Sequence, residues 1–330
     1  MIDEFQEDWV RLAYESRNVF STWEWASTWW RHYGGAREPL VAPSREALLP
    51  LYLWSRRPAR VARFIGHGPA DQLGAICAPG AEAAAAEALR QTIEDADLDL
   101  VLMELLSGRE AWKDLLRQEP LLRESSPTIS LGAGWEAYLA GRSANLRQQI
   151  RRRERQLDRR HTVRFRLATE PHSLEEDLRL LYALHRARWG DRSAFSRFEG
   201  FHRDFAAVAL ECGWLRLWFL ELDERPAAAW YGFRFAGVES YYQAGRDPAF
   251  GDESVGFVLL AHSIRQAAEE GVLEYRLLRG AESFKLRFAD ADPGVETFAP
   301  ARGLTGRAAR AAAAVGLRSA TVRSALRRLG

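Results

Sequence analysis

The sequence has 330 residues, of which 47% are hydrophobic, and its formal net charge is only +1. A chain of this length can bury one large core or two modest ones, and twelve tryptophans favour a well-packed globular protein. No stretch approaches about eighteen uncharged apolar residues, and the acidic start lacks the apolar segment of a secretory signal. Cys77 and Cys212 offer neither a disulfide framework nor metal-ligand spacing, which predicts a protein of the reducing cytoplasm without a metal.

Predicted helices and strands alternate through the first half of the chain, which is typical of an α/β fold. Residues 20–33 predict a helix that is capped at Ser21 or Thr22 and docks on a sheet through tryptophan side chains. No catalytic constellation stands out in this half, although His67 and Asp71 lie where they could touch a ligand. The other predicted elements are a hairpin over residues 40–54, helices over 81–93 and 109–117, and a buried strand over 98–106.

A long basic helix is predicted to begin after Ser143, a suitable N-cap, and to end near residue 160. Residues 142–160 hold eight arginines against two acids, a net charge of +6. The apolar residues recur at helical spacing, so the helix packs by one edge, and Arg147 and Arg151 lie beside that edge one turn apart. Because guanidinium groups bind phosphate bidentately, these two are predicted to contact a nucleotide, a lipid phosphate or tRNA. A solvated helix face explains the outer arginines equally well.

Residues 301–330 form a second basic segment, with seven arginines and no acid. Apolar side chains recur among the arginines, and a basic amphipathic helix of this kind can lie on an anionic membrane face. Packing within the molecule is the alternative. The predicted location is therefore the cytoplasm, with peripheral attachment to the inner face of the membrane as a further hypothesis.

The second half of the chain predicts a helix, an antiparallel meander and then a βαβ unit. The unit consists of a strand ending near Gly245, a helix over residues 257–270 and a strand over 272–278. Its two strands should be parallel and its crossover right-handed. Ligands gather at the carboxyl ends of such strands and at the helix N-terminus, which favours anions. The helix before the meander covers residues 174–189, and the meander strands cover 214–222, 227–235 and 238–245.

The order of motifs in the second half resembles a GNAT-fold acyltransferase. A strand ending in YxxGxDP, a loop ending in S-x-G before a helix and a segment like xLxRGxExYK follow one another here. Upstream, S-x-x-x-R-x-x-I-R-R-x-x-R-x-L from Ser143 and LHxxRW from Leu184 are similar to the CelD/BcsL-like proteins linked to exopolysaccharide synthesis. That group is related to the Fem-type aminoacyl transferases, and the resemblance covers most of the chain.

The resemblance implies two GNAT-like lobes, each a mixed sheet flanked by helices, within the α/β (α+β) class. We expect one lobe over residues 1–140, a catalytic lobe over 141–300 and a basic tail over 301–330. GNAT enzymes transfer an acyl group directly to an amine, and they hold the donor where the two parallel strands separate. By position, Ser254 and Gly256 form the start of the helix that would take a donor pyrophosphate.

The sequence departs from the ordinary GNAT pattern in ways that bear on the donor. The loop before the helix lacks the Q/R-x-x-G-x-G/A run that holds coenzyme A, and it contains Asp252 and Glu253, which would repel phosphate. Arg276 and Phe284 stand where related proteins usually have Asp and Tyr. An acyl-CoA donor is the first expectation, an acyl carrier protein remains open, and Fem-type relatives without that run use charged tRNA.

Lys285 is the first candidate for the reacting centre. It is one of only two lysines, and the resemblance places the matching lysine of related enzymes at this centre. A compact charge there would stabilise a developing oxyanion or a substrate phosphate. Glu282 also matches, whereas the general base stays open between Asp247, Glu282 and His185, a residue whose ordinary pKa lies near neutral. The predicted donor- or substrate-binding residues are Arg147, Arg151, Trp189, Gln243, Asp247, Ser254, Gly256 and Arg279.

Three functions therefore remain in competition. The first is an N-acyltransferase that moves an acyl group from an acyl-thioester to a small-molecule or lipid-linked amine in cell-envelope or exopolysaccharide metabolism. The second is a Fem-type transferase that adds an amino acid from charged tRNA to a peptidoglycan precursor. The third is an inactive GNAT scaffold that binds an anionic glycan or lipid, which the lost phosphate-binding run favours and the retained Lys285 and Glu282 oppose.

Overall fold

The computed structural model describes residues 2–190 and 193–318 and divides the chain into two compact units. Unit 1 comprises Met1–Ser125 and Pro293–Gly330, and unit 2 comprises Ser126–Asp292. Each unit holds one mixed β-sheet flanked by helices, so the predicted fold class is confirmed. Among the described helices, none has the length and apolar character needed to cross a bilayer.

Unit 1 is built on a sheet in which one strand pair is parallel and the other described pairs are antiparallel. Its helices are α1 (Gln6–Ser16), α2 (Trp23–Trp29), α3 (Glu82–Asp95), α4 (Trp112–Leu116) and α11 (Gly303–Arg318). Its strands are β1 (Glu38–Pro43), β2 (Ala47–Ser55), β3 (Val61–Phe64), β4 (Ile76–Cys77), β5 (Leu100–Ser107), β6 (Leu122–Glu124) and β13 (Val295–Phe298). The strand order is β1-β2-β3-β5-β13-β6, with β4 beside β2. The parallel pair is β3 and β5, and α3 lies between them in the chain.

The tryptophan-rich helix of unit 1 confirms the sequence prediction in its start and in its buried face. The Thr22 side chain accepts a hydrogen bond from the Trp25 backbone N–H at 3.2 Å, which caps α2. Trp25 and Trp29 are fully buried. The regular helix ends at Trp29 and continues as one wider turn to Gly34, so the predicted end near residue 33 is also close.

Unit 2 carries the predicted meander and βαβ unit. Its helices are α5 (Trp135–Ala140), α6 (Ala144–Arg160), α7 (Leu174–Trp189), α8 (Glu199–Glu211), α9 (Val255–Glu269) and α10 (Ser283–Phe288). Its strands are β7 (Thr128–Ser130), β8 (Val163–Leu167), β9 (Leu215–Leu222), β10 (Arg225–Phe235), β11 (Val238–Arg246) and β12 (Glu274–Arg276). The strand order is β7-β12-β11-β10-β9-β8. The parallel pair is β11 and β12, as predicted, and the other described pairs are antiparallel.

The basic helix α6 packs on unit 2 by the edge that its sequence predicts. The Ser143 hydroxyl accepts a hydrogen bond from the Leu146 backbone N–H at 3.2 Å. Leu146, Ile150 and Leu157 are buried in the core that α6 shares with α9 and the sheet. Packing of this apolar stripe stabilises the helix, while the polar face of α6 stays in solvent.

The predicted boundaries at residues 140 and 300 differ from the division in the structure. β7 pairs with β12, so the chain has entered the second sheet by residue 128. β13 pairs with β5 and β6, so the chain has returned to the first sheet by residue 295. The predicted tail is likewise not a separate segment, because α11 belongs to unit 1, while residues 319–330 lie outside the described part.

Candidate functional site

The parallel strands of unit 2 separate soon after they pair. β11 pairs with β12 only at Val238, Glu239 and Ser240, whereas it continues to Arg246 against β10. After β12 the chain turns at Leu278, whose φ of 56° is uncommon for a residue with a bulky side chain. The turn leads the chain away from β11 into α10. The predicted opening between the two strands is therefore present.

A bulge in β11 lies at the same opening. Tyr231 of β10 pairs with Gln243 and Gly232 with Tyr241, so Tyr242 is an extra residue in β11. Gly232 is required here, because a Cβ on it would lie 2.1 Å from the Ser240 carbonyl oxygen. The bulge re-aims the side chains that follow it, and half-buried Gln243, a predicted donor ligand, is the first of them.

Lys285 lies on α10 at this opening, with its ammonium group held by two oxygens. The Nζ atom donates a hydrogen bond to the Arg279 carbonyl oxygen at 2.5 Å and lies 3.2 Å from Oε2 of Glu282. Lys285 is 5% exposed, whereas the Glu282 side chain is 40% exposed. The Glu282 carboxylate packs on Gly280, since a Cβ there would lie 2.2 Å from Oε2. The short segment from Arg279 to Lys285 thus fixes one cation and one accessible carboxylate together.

Three further side chains surround this turn, and none was a site candidate from the sequence. The Arg188 guanidinium carbon lies 4.4 Å from the Trp189 ring centroid and 5.9 Å from that of Phe284. Burial raises the pKa of Tyr241 to about 12, although the positive charge of nearby Arg188 opposes that shift. The Tyr241 and Phe284 rings lie 6.4 Å apart. Arg188, Tyr241 and Phe284 therefore belong to the candidate site.

Close packing of α7 on β11 brings these residues together. A Cβ on Gly245 would lie 2.3 Å from the His185 backbone nitrogen, so only glycine permits this approach. The Trp189 indole N–H donates to the Ala244 carbonyl oxygen at 3.2 Å. Trp189, a predicted ligand-binding residue, keeps 39% of its surface exposed. The glycine of the YxxGxDP motif was the sequence signal that could have pointed to Arg188, because it marks where the helix crosses the strand.

His185 lies on the buried side of α7, which argues against the predicted role as general base. Its Nε2 atom lies 2.8 Å from the Ser193 hydroxyl, and the residue is 1% exposed. Burial lowers the pKa of His185 to about 4. Packing and the hydrogen bond to Ser193 account for this buried, neutral imidazole.

Two of the predicted binding residues have structural tasks that the sequence did not reveal. The Arg147 guanidinium donates to the carbonyl oxygens of Ala140 at 3.2 Å and of Arg142, where it closes the end of α5. The Asp247 carboxylate accepts a hydrogen bond from the Ala249 N–H at 2.8 Å and caps the short helical segment that follows. Arg151, by contrast, is exposed on α6 and forms no ion pair within the described residues. Arg147 therefore caps a helix end, and its predicted contact with phosphate stays a prediction.

The start of α9 is more open to an anion than its sequence suggests. Ser254 precedes the helix with a φ of 56°, and its side chain makes no capping hydrogen bond. A Cβ on Gly256 would meet nothing within 4 Å, so the first turn faces open space. Glu253, which was expected to repel phosphate, is paired with Arg160 at 3.0 Å. The first N–H groups of a helix favour negative charge, and this ion pair removes part of the opposing field.

No group of three or more His, Cys, Asp or Glu side chains within residues 2–190 and 193–318 could hold a metal ion. The opening itself presents the ammonium, guanidinium, carboxylate and phenol groups described above. Such a set can stabilise an oxyanion and accept a proton from an attacking amine.

Comparison with known families places one match inside unit 2. Residues 144–286 match the family described as Acetyltransferase (GNAT) domain. The match runs from the first residue of α6 to α10 and so includes the strand opening and Lys285. This part of the chain has the GNAT acyltransferase fold. No curated protein sequence matches the chain.

Solved structures share the fold over nearly the whole chain. FemX is 10% identical with a TM-score of 0.62, over 90% of this chain and 94% of that chain. The C-terminal (DUF2156) domain of a candidate lysylphosphatidylglycerol synthetase from Agrobacterium fabrum is 14% identical with a TM-score of 0.60, over 98% and 97%. L-PGS from Bacillus licheniformis is 13% identical with a TM-score of 0.57, over 94% and 95%. At these identities the likeness shows a common two-lobed fold.

Proposed function

We propose that this protein is an N-acyltransferase that moves an acyl group from an acyl-thioester to an amine. The observation that carries the proposal is the buried ammonium group of Lys285 beside the opening between β11 and β12. The GNAT match over residues 144–286 and the accessible Glu282 carboxylate support it. The acyl donor is proposed to be acyl-CoA, and the acceptor a small-molecule or lipid-linked amine of cell-envelope metabolism. The CelD/BcsL-like assignment and its link to exopolysaccharide remain part of this proposal.

The proposed reaction is direct attack of the amine on the thioester carbonyl carbon. A C–N bond forms, the C–S bond breaks, and the amine proton is removed as the thiolate leaves and is protonated. Negative charge develops on the carbonyl oxygen, and the Lys285 ammonium is the cation placed to stabilise it. Glu282 holds that ammonium and is the accessible carboxylate of the site, which makes it the first candidate for the proton acceptor. Arg188, Trp189 and Phe284 line the approach.

The test is a donor and acceptor screen that uses the two lysines as a matched pair. Thiol release from acyl-CoAs of increasing chain length is measured with amine acceptors, and products are identified by mass spectrometry. Lys285→Ala should lower turnover by about 100-fold or more, the usual loss for one oxyanion donor. Lys113→Ala should leave turnover unchanged, because Lys113 is exposed and pairs with Glu119 on the surface. Thermal melting of both variants verifies folding, and equal losses in the two would contradict the proposal.

A second candidate is aminoacyl transfer from charged tRNA, as expected for Fem-type enzymes. The specific observation in its favour is a set of exposed α6 arginines without an ion pair among the described residues, namely Arg151, Arg155 and Arg159. Turnover of an acyl-thioester would exclude a requirement for tRNA, whereas activity only with charged tRNA would exclude the first reading. An inactive scaffold is the third reading, and it predicts ligand binding that Lys285→Ala leaves intact with no turnover under any donor.

Peripheral membrane attachment through residues 301–330 also remains a proposal. The described part of this segment forms α11, where Leu304 is 80% and Val315 68% exposed. Exposed apolar groups beside arginines suit a lipid surface. Co-sedimentation with anionic vesicles, but not with neutral ones, is the outcome expected if the helix contacts lipid.

A further inference from the structure

A cluster of three guanidinium groups lies where α6, α9 and α10 meet. Arg153 of α6 is half-buried, and its guanidinium carbon lies 4.3 Å from the ring centroid of Phe257, in the first turn of α9. Arg287 of α10 donates a hydrogen bond to the Gln149 side-chain oxygen at 3.3 Å, one turn before Arg153 on α6. Arg152, the preceding residue of α6, is exposed, and its positive charge acts on Arg153. Phe257 in turn packs on Phe288 of α10, with ring centroids 5.1 Å apart.

The cluster has no counter-ion within the part of the chain that the structure describes. Two acids of these elements are already paired, since Glu154 binds Arg265 at 2.8 Å and Glu253 binds Arg160 at 3.0 Å. Burial lowers the pKa of Arg153, and the positive charges of Arg287 and Arg152 lower it further. Like charges held together beside apolar rings oppose folding. An anion between them would remove that cost and satisfy the guanidinium donors.

The surroundings of the cluster fit a phosphate group. Guanidinium groups match phosphate oxygens bidentately, and two of them on different helices can grip one group from two sides. The start of α9 adjoins the cluster through Phe257, and Gly256 leaves open space there. The free N–H groups of a first helical turn add to the attraction for an anion. α10 carries Arg287 on its exposed side and Lys285 on its buried side, so one short helix links the cluster to the proposed reacting centre.

We propose that Arg153 and Arg287, with Arg152 at the rim, bind a phosphate group of a nucleotide-bearing donor. The two guanidinium groups come from α6 and α10 and take the place of the glycine-rich phosphate loop that this sequence lacks. The inference rests on the proposed acyl transfer, because it assigns the donor's phosphate to the site beside α9. It also gives a role to Arg153, for which a solvated helix face was an equally good interpretation of the sequence.

Calorimetric titration with coenzyme A and with inorganic pyrophosphate tests the site without requiring turnover. Arg153→Gln and Arg287→Gln should each weaken binding of both probes by about 10-fold or more, the loss expected for one charge-assisted hydrogen bond. Arg159→Gln is the matched control, because it removes an exposed arginine from the same helix. Its affinities should stay within about two-fold of the unmodified protein, as for a screened surface charge. Arg153→Lys keeps the charge without the fork and should give an intermediate loss.

The outcomes separate this inference from the proposed function. If pyrophosphate does not bind, or if Arg159→Gln weakens binding as much as Arg153→Gln, the site is overturned even where Lys285-dependent turnover persists. If Arg153→Gln, Arg287→Gln and Arg159→Gln weaken binding of a tRNA equally while pyrophosphate does not bind, the arginines form a nucleic-acid surface and the site is again overturned. Binding that depends on Arg153 and Arg287 without turnover of any thioester supports the site and counts against acyl transfer. Unchanged melting temperatures of the variants exclude misfolding as the cause.

Discussion

Each of the two sheets contains a parallel strand pair whose strands are connected by a helix. The side chains that follow the pair differ between the two sheets. In unit 1, β3 and β5 pair at three positions, and the Arg63 guanidinium then lies 2.6 Å from the Glu104 carboxylate. In unit 2, β11 and β12 also pair at three positions, and Lys285 lies beyond them with a half-exposed carboxylate. Both members of the unit 1 ion pair are less than one-fifth exposed.

Aromatic side chains complete the difference between the two units. In unit 1 the loop after β3 brings His67 under Tyr52, whose hydroxyl lies 3.0 Å from His67 Nδ1, and the Trp29 N–H donates to the His67 carbonyl oxygen at 2.9 Å. Burial lowers the pKa of His67. Every one of these groups is used within the fold. Strand topology therefore does not determine whether the end of a parallel strand pair is packed or open. The side chains that follow the pair determine it.

Removing a buried aromatic side chain from unit 1 should have the largest effect on stability. Trp29→Ala deletes a fully buried ring and should lower the free energy of unfolding by about 3–5 kcal/mol. Because Trp29 belongs to the packed end, turnover per folded molecule should not change. Denaturant unfolding and initial rates of one preparation measure both quantities. Trp54→Ala, at a residue that is 41% exposed, is the control, and an equal loss there would contradict the packing argument.

The approach of α7 to β11 should be the next most sensitive feature. Gly245→Ala places a Cβ against the His185 backbone, and we expect a loss of about 1–3 kcal/mol together with lower turnover, because Arg188 moves with the helix. Gly251→Ala is the matched control, since a Cβ there meets nothing within 4 Å. Thermal melting and kinetic assays compare the two. A tolerated Gly245→Ala would show that the site does not depend on this contact.

Buried histidines supply a pH test in unit 2. His202 is fully buried between the hydroxyls of Tyr231 and Tyr242, and burial lowers its pKa to about 3 from an ordinary value near 6.5. The unfolded chain therefore binds more protons between these two pH values, so stability is present above about pH 6.5 and falls as the pH falls toward 3. His202→Gln should reduce the slope of unfolding free energy against pH by about 1.4 kcal/mol per unit between pH 4 and 6. Parallel slopes for both proteins would contradict the assigned burial.

The two carboxylates that follow the parallel strand pairs, Glu104 in unit 1 and Glu282 in unit 2, should show the smallest and most selective effects. Glu104→Gln should lower stability by about 1 kcal/mol and leave activity unchanged, because it only weakens the ion pair with Arg63. Glu282→Gln should also cost about 1 kcal/mol of stability, because it weakens the contact to the buried Lys285 ammonium, and it should lower turnover by about 10-fold or more, as for loss of a proton acceptor. Melting curves and rates at saturating donor distinguish them. A stability loss from Glu282→Gln without a rate effect would make unit 2 resemble unit 1.

Local signals in the sequence predicted much of the fold. Ser143 and Thr22 cap the helices that they were expected to cap, and the βαβ unit ending at Gly245 and Leu278 has the predicted parallel strands. β13 could not be assigned, because four residues carry no information about which sheet they will join. The predicted boundary at residue 300 differs from the division in the structure for this reason.

The site was less predictable, because its partners are distant in sequence. Arg147 was expected to bind phosphate, but carbonyl groups at the end of α5 occupy its guanidinium. Arg188 and Tyr241 meet only through the crossing of α7 and β11. Lys285 as the reacting cation remains a prediction that its burial and contacts support.

The position of β13 between β5 and β6 has a consequence for biosynthesis. Unit 2 is complete when residue 292 has left the ribosome, and its first and last segments are already joined, since the Ser126 N–H donates to the Asp292 carboxylate at 2.8 Å. Unit 1 then still lacks an interior strand, so β6 has no neighbour in its sheet. During translation unit 2 is therefore able to fold first, while unit 1 waits for β13, which is made after unit 2.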